Sequence, residues 1–413
     1  MLNYYSKPAR STPLNIAIAR VLLGLFLIYK LIQNEWTEIP EWPRPLGPIV
    51  PMFQHELILD HLSLLALVGF IALVGFVIGY RLRGSAFLSA GVITVLATVR
   101  YAYNYSHSSE LLYSGVLLLL LYAVFAEEDL LTIDELRRTG TYSLNELTTH
   151  LETATTTKGP YAHSPLRWGL VVVALLYFQA GFAKLVYGSP VEWIQPQSLS
   201  RYILYGSMEA GRLPVGEVLL QFPVLLSVLA IATIILEVGF LLAVLAGWRL
   251  EPFFIGLFGM HIGIMYALGP LFLDQMFILL LFIPWDHVYA TLKPDRSLEI
   301  VYDEHCFFCA RSLYLFKILD TNDSIKFYSQ YTLPDRLAGR DDTDFDTAMY
   351  AFRNGATYRG YDGFVELFRQ FPGTLPIISA MKLPGIKSIG YQVYEYIGAN
   401  RSRHFTCAVE SDD

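Results

Sequence analysis

Cys306 and Cys309 are the residues of this chain best spaced for covalent chemistry. An apolar, strand-like run, Leu298–Tyr302, leads into them through Asp303-Glu304-His305, and a helix-like run, Ala310–Asp320, follows. A strand that delivers Cys-x-x-Cys to the first turn of a helix is a redox arrangement. The unpaired N–H groups and partial positive charge of the helix start favour the thiolate of Cys306. Cys309, one turn on, can then resolve a mixed disulfide. Asp303 stands close enough in sequence to tune or orient the pair. Two other readings compete: half of a zinc site completed by His404 and Cys407, and two cysteines idle in a core. The strand and helix on either side favour redox, so no metal is expected.

A second set of reactive groups lies inside apolar runs. Lys184 ends the stretch Tyr177-Phe178-Gln179-Ala180-Gly181-Phe182-Ala183-Lys184, with Trp193 beyond it. A lysine near the end of a span often only extends to the interface; a desolvated one can serve as a general base. Arg20, Glu237, His261 and Asp274 also fall within apolar runs. Each is costly in hydrocarbon, so each is expected to face the interior of a bundle and pair. Arg20, Glu237 and His261 could hold the head group of a ligand such as a membrane quinone. The plainer reading is interhelical pairing, for instance Arg20 with Glu237. Tyr101, Tyr103 and Tyr105 read as an interface belt.

The composition explains why such groups would be in lipid. Of 413 residues, 54% are hydrophobic and only 16% charged, against about 25% charged in soluble domains. The apolar excess fills Leu14–Ala290, while Lys293–Asp413 reads as an ordinary soluble domain. A net charge of −7 without a basic block argues against nucleic acid as a partner. Three cysteines are too few for a disulfide framework. The first apolar run lacks a small-residue cleavage site and is expected to be retained.

Eight spans are expected, at Leu14–Ile32, Leu62–Tyr80, Ala86–Tyr105, Leu111–Ala126, Trp168–Tyr187, Val218–Gly247, Phe253–Gly269 and Leu271–Trp285. Gln33–Asp60 reads as an interfacial loop and Gly188–Gly216 as a polar loop. Glu127–Arg167 is polar, with an amphipathic helix near Leu130–Arg138. Lys7, Arg10, Arg81 and Arg83 are basic flanks, whereas Gln33–Asp60 is acidic, with Arg44 its one basic residue. The positive-inside rule therefore puts both termini in the cytoplasm of a multi-pass membrane protein. Lys293–Asp413 reads β-α-β, then a β-hairpin and helices, with strands at Leu298–Tyr302, Ile325–Tyr328, Ala348–Phe352 and Ala356–Arg359. Helices are expected at Phe307–Asp320, Gly363–Phe371 and Gly385–Ile397. Asn354-Gly355 predicts a type I′ turn. This order fits a thioredoxin-like α/β sandwich.

Asp303-x-x-Cys306-x-x-Cys309 behind a tyrosine-ended strand resembles the DCC family of thiol–disulfide oxidoreductases, with Glu304-His305 where that family usually has Gly-Asp. Tyr358-Arg359-Gly360, Tyr391–Tyr396, Asn400-Arg401 and Cys407 also sit where that family has similar residues. This resemblance covers about Leu298–Cys407. The Lys184 motif, Arg20-x-x-x-Gly24, Glu237 and His261 resemble, in order, the transmembrane domain shared with vitamin K-dependent gamma-glutamyl carboxylase, the HTTM domain, over about Leu14–Trp285. In that carboxylase the matching lysine deprotonates the vitamin K hydroquinone, so the resemblance implies a base at Lys184.

The expectation is a polytopic α-helical membrane domain, residues 1–292, followed by a thioredoxin-like redox domain, residues 293–413. The lipid bilayer and a thiol or disulfide partner, protein or small molecule, are its expected partners. Cys306 would attack and Cys309 resolve. Two alternatives stand beside it: a carboxylase-like or quinone-oxidising membrane enzyme based on Lys184, and a non-catalytic redox sensor or assembly factor.

Overall fold

The computed structural model describes residues 13–33, 60–103, 107–125, 129–152, 165–186, 189–211, 213–270, 272–286, 288, 297–320, 324–338, 344–345, 347–371 and 374–400. The basic tail, most of the expected interfacial loop, His404 and Cys407 lie outside them, as do the side chains of the Tyr101–Tyr105 belt. Two compact units emerge. One draws on Asn15–Thr132 and Pro160–Ile283; the other draws mainly on Ile133–Gly159 and Pro284–Asp413.

The first unit is helical. It begins with α1 (Pro13–Gln33), α2 (Leu62–Ile78), α3 (Leu82–Tyr103) and α4 (His107–Val124). The chain then leaves it for two short helices of the other unit, α5 (Ile133–Arg138) and α6 (Leu144–Glu152). It returns with α7 (Pro165–Val186), α8 (Pro190–Trp193), α9 (Pro196–Ala210), α10 (Pro214–Leu219), α11 (Pro223–Ala246), α12 (Glu251–Leu268) and α13 (Leu273–Leu280). Within it α3 packs on α2 and α4, α7 on α4 and α11, and α9 on α11 and α12. The shared core runs through Leu23, Phe76, Leu119, Ala174, Phe240 and Leu257.

Five stretches are long and apolar enough to cross a membrane: Pro13–Gln33, Leu82–Val99, Pro165–Val186, Pro223–Ala246 and Glu251–Leu268. Leu62–Ile78 and Ser114–Val124 are apolar but shorter. The outward faces of these helices carry bare Leu, Ile and Val, such as Ile71, Val224 and Ile255. That is a liability in water and ordinary against lipid tails.

Three expectations need correction. Gly188–Gly216, expected as a polar loop, is folded into α8, α9 and the first half of α10. Prolines at the first turn of each start these helices, where the missing N–H costs nothing. The expected sixth span does not begin at Val218; the chain breaks at Gln221-Phe222, and Pro223 opens α11. The expected eighth span contains α13, a helix of eight residues. It gives way to turns at Leu281–Ile283 ahead of Pro284, which cannot continue a helix.

The second unit is built on a four-stranded sheet. Its elements after α6 are β1 (Leu298–Tyr302), α14 (Phe307–Leu319), β2 (Ile325–Ser329), α15 (Asp335–Ala338), β3 (Tyr350–Arg353), β4 (Ala356–Arg359), α16 (Tyr361–Arg369), α17 (Leu375–Met381) and α18 (Pro384–Asn400). The strand order is β2-β1-β3-β4. Strand β1 pairs parallel with β2, Val301 opposite Tyr328, and antiparallel with β3, Val301 opposite Tyr350. A strand covered on both faces reads as a mainly apolar run, and β1 buries Leu298, Ile300, Val301 and Tyr302 completely, with Glu299 half-buried.

The β3–β4 hairpin turns at Asn354-Gly355, both with positive φ, 50° and 81°. Only a glycine or asparagine adopts that backbone at little cost, so the dipeptide sets the register, Arg353 opposite Ala356. Phe316 on α14 meets Phe364, Phe368 and Phe371 at 5.2–6.4 Å between ring centres, which locks α14 to α16. Helix α6 packs on α14 and on β2. Its start is a reciprocal cap: Ser143 N–H donates to Glu146 Oε2 (2.7 Å) and Glu146 N–H to Ser143 Oγ (3.2 Å).

Candidate functional site

The end of β1 becomes the dithiol turn through Asp303. Its carbonyl accepts the Cys306 N–H at 3.1 Å, and its carboxylate Oδ1 accepts the His305 N–H at 3.0 Å. This is the local bonding by which an aspartate shapes a turn. It leaves Cys306 as the N-cap of α14, in extended conformation with φ −94° and ψ 98°. The Cys306 Sγ accepts the Cys309 N–H at 3.2 Å, one of the orphan donors of the first turn. Cys306 and Cys309 are joined as a disulfide with their Cα atoms 5.2 Å apart, inside the usual range for such a bond. Cys306 is buried, Cys309 is half-buried, and Phe308 between them is exposed. The His305 ring meets exposed Tyr331 edge-on at 4.9 Å.

Residues 300–407 match the family of DCC1-like thiol-disulfide oxidoreductases. The match takes in β1 from Ile300 on, the dithiol and every later strand and helix, and covers less than half of the chain. No curated protein and no solved structure matches. The DCC1-like domain of this chain thus carries its disulfide at the start of a helix, where a released thiolate has backbone donors and the helix dipole to stabilise it. Among the described residues no three His, Cys, Asp or Glu side chains cluster as a metal site would require.

The DCC1-like helix α14 has a neighbour that sequence reasoning missed. Arg311, two residues after Cys309, donates to the Leu136 carbonyl (2.8 Å) and to Thr139 Oγ1 (3.2 Å). Tyr314 faces Glu135 (3.5 Å), which also takes Tyr142 (3.1 Å) and Arg138 (2.6 Å). Burial, then the Glu135 carboxylate, pushes the Tyr314 hydroxyl well above its ordinary value, and burial does the same to Tyr142. The helix itself was expected, near Leu130–Arg138, and Ser143-x-x-Glu146 marks the start of the next one; nothing in the sequence pairs either with α14.

In the helical unit Lys184 meets Glu237, His261 meets Tyr177 instead, and Arg20 joins neither pair. Lys184 Nζ donates to both carboxylate oxygens of Glu237, at 2.8 and 2.6 Å, and lies 5.3 Å from the centre of the Trp193 ring. Gly181 makes this possible: a Cβ there would sit 2.8 Å from the Glu237 Cβ, so α7 and α11 touch at that point. Two turns before Lys184, the Tyr177 hydroxyl bonds His261 Nε2 at 2.9 Å and its ring packs on Phe240. Tyr177 is a site residue that the motif contained and the sequence reading did not single out.

The expected pairing of Arg20 with Glu237 is corrected. Arg20 Nε bonds Asp129 Oδ2 (2.6 Å), and its other nitrogens take the carbonyls of Phe76, Val77 and Leu131. It caps the carbonyl end of α2, a place where a guanidinium satisfies orphan acceptors. Asp274 bonds Lys30, which lies in the last turn of α1.

Proposed function

We propose that the protein is a membrane-held thiol–disulfide oxidoreductase whose dithiol is Cys306 and Cys309. The observation that carries this reading is the Cys306 disulfide at the first turn of α14, inside the segment that matches DCC1-like oxidoreductases. The Cys306 thiolate attacks a substrate disulfide, one substrate sulfur leaves as a thiolate, and Cys309 then attacks the mixed disulfide. Two electrons pass to the substrate, which departs as a dithiol, and the Cys306–Cys309 disulfide forms. Asp303 is a positioning residue in this scheme, since it bonds the backbone of the turn. The β2-β1-β3-β4 order with α14 as the β1–β2 crossover supports a thioredoxin-like fold. The apolar helices support a multi-pass placement in a membrane.

A second reading is favoured by one observation: four polar groups, Tyr177, Lys184, Glu237 and His261, form two bonded pairs amid apolar helices. In this reading the HTTM-like region handles a membrane quinone, with Lys184 as base and Glu237 and His261 beside the head group, and the dithiol exchanges electrons with it. Arg20 already has four partners in another place and contributes to the fold there.

The test is the reduction potential of the full chain, with Cys407→Ser, by equilibration with glutathione or dithiothreitol. A single two-electron transition between about −120 and −300 mV, lost in Cys306→Ser, is expected. Cysteines that never pair under oxidising buffers would end the oxidoreductase reading.

A further inference from the structure

Helix α18 has three faces, and only two of them are explained by the fold. One packs inward: Tyr394 Oη accepts the Met349 N–H at 3.0 Å, Tyr391 bonds Asp362, and both rings pack against the cluster of Tyr361, Val365 and Ile378. A second is polar and carries Ser388, Gln392 and Glu395. The third is apolar and open. Ile386, Ile389, Val393 and Tyr396 are each 45–70% exposed. At the helical pitch of about 100° per residue they fall within an arc of about 80°, beside the packed face rather than on it. Leu383, just before the helix, is also exposed. A helix already docked by one face gains nothing in water from a second apolar stripe, so the stripe calls for an occupant.

We propose that this stripe seats the DCC1-like domain on the interface of a lipid bilayer. Charge and composition favour that occupant over a protein groove. Lys382 stands exposed just before α18, and in sequence Arg401 and Arg403 follow it, while Lys387 lies on the packed side, 3.7 Å from Asp362. Cations that flank an apolar helix in sequence are what anionic head groups attract, and Tyr396 at the edge of the stripe is an aromatic suited to head-group depth. The domain is joined covalently to helices long and apolar enough to cross a membrane, so a bilayer is present at high effective concentration. The inference rests on the membrane reading and is independent of the dithiol chemistry. It would hold one face of the redox domain against lipid whatever substrate the disulfide meets.

The experiment places p-benzoyl-phenylalanine at position 389, 393 or 392, one at a time, in the full chain. The protein is reconstituted in vesicles of phosphatidylcholine and phosphatidylglycerol and irradiated. Adducts are identified by mass spectrometry. Lipid adducts severalfold more abundant at 389 and 393 than at 392, on the polar face, are expected. All three positions are exposed, and circular dichroism confirms that each variant is folded before irradiation. Cross-links from 389 and 393 to a second copy or to another part of the chain, or lipid adducts no more abundant than at 392, would overturn the proposal.

Discussion

Replacing Arg353 with alanine should unlock the hairpin side of the DCC1-like domain. Arg353 is the last residue of β3, and its Nη1 donates to Glu366 Oε2 of α16 at 2.8 Å, with both side chains 4% exposed. Arg369 shares the carboxylate at 2.7 Å but keeps a third of its side chain in solvent. Removing Arg353 leaves Glu366 buried with one partly hydrated partner. Breaking a buried pair from one side costs about 3–5 kcal/mol. Arg369 still supplies a charged hydrogen bond, so a figure near the lower end, about 3 kcal/mol, is expected. That is a large part of the roughly 5–15 kcal/mol a domain has.

The same change in Arg369, a partly hydrated partner, should cost about 1 kcal/mol or less. Amide exchange of the full chain, read by mass spectrometry, separates the two. At about 1.4 kcal/mol per decade, Arg353→Ala should speed exchange in β3 and α16 about a hundredfold. Replacing both partners, Arg353→Met with Glu366→Leu, should recover most of the protection. Equal effects of Arg353→Ala and Arg369→Ala, or protection unchanged in Arg353→Ala, would refute the reasoning.

Three further outcomes follow from the same structure. Lys184→Ala leaves the Glu237 carboxylate without its cation and should lower the melting temperature of the chain in detergent, while Lys184→Met with Glu237→Leu restores it and dithiol exchange is unchanged. A Lys184→Ala chain as stable as the parent would show that the pair holds nothing together. Tyr314 has its hydroxyl raised by burial, so the unfolded chain releases that proton first as pH rises. Its contribution is complete below about pH 10 and is lost above it; Tyr314→Phe should therefore flatten the alkaline limb of a urea-stability curve, and an unchanged limb would count against it. Gly355→Val meets open space but must keep φ near 81°, so it should cost about 1–2 kcal/mol of urea stability from the backbone alone.

Much of the α/β unit was legible because its signals are local. β1 and β4 fall at Leu298–Tyr302 and Ala356–Arg359 as expected, and α14 stops within a residue of expectation. Asn354-Gly355 makes the hairpin because positive φ is a property of those two residues. The helical unit was legible where apolar runs are long and less so where prolines restart short helices, as at Pro190, Pro196 and Pro214. Partners were the hardest part. Spacing told that Lys184 and Glu237 lie in apolar runs, but only the Gly181 contact decides that they meet. Arg20 found carbonyls and Asp129, acceptors that hydropathy does not distinguish. The docking of Arg311 and Tyr314 on Leu136–Tyr142 joins residues more than 170 positions apart, and no local pattern encodes that.

The central claim is that Cys306 attacks and Cys309 resolves. Burial makes the point worth a direct measurement, since Cys306 is covered and Cys309 is half-exposed in the disulfide form. The measurement is mixed-disulfide trapping by the full chain in lipid nanodiscs, with Cys407→Ser and a small disulfide substrate, followed by mass spectrometry. The account predicts turnover by the parent, a stable adduct on Cys306 in Cys309→Ser, and no adduct in Cys306→Ser. An adduct on Cys309 in Cys306→Ser, with none in Cys309→Ser, would reverse the roles; neither turnover nor an adduct in any variant would contradict the oxidoreductase account itself.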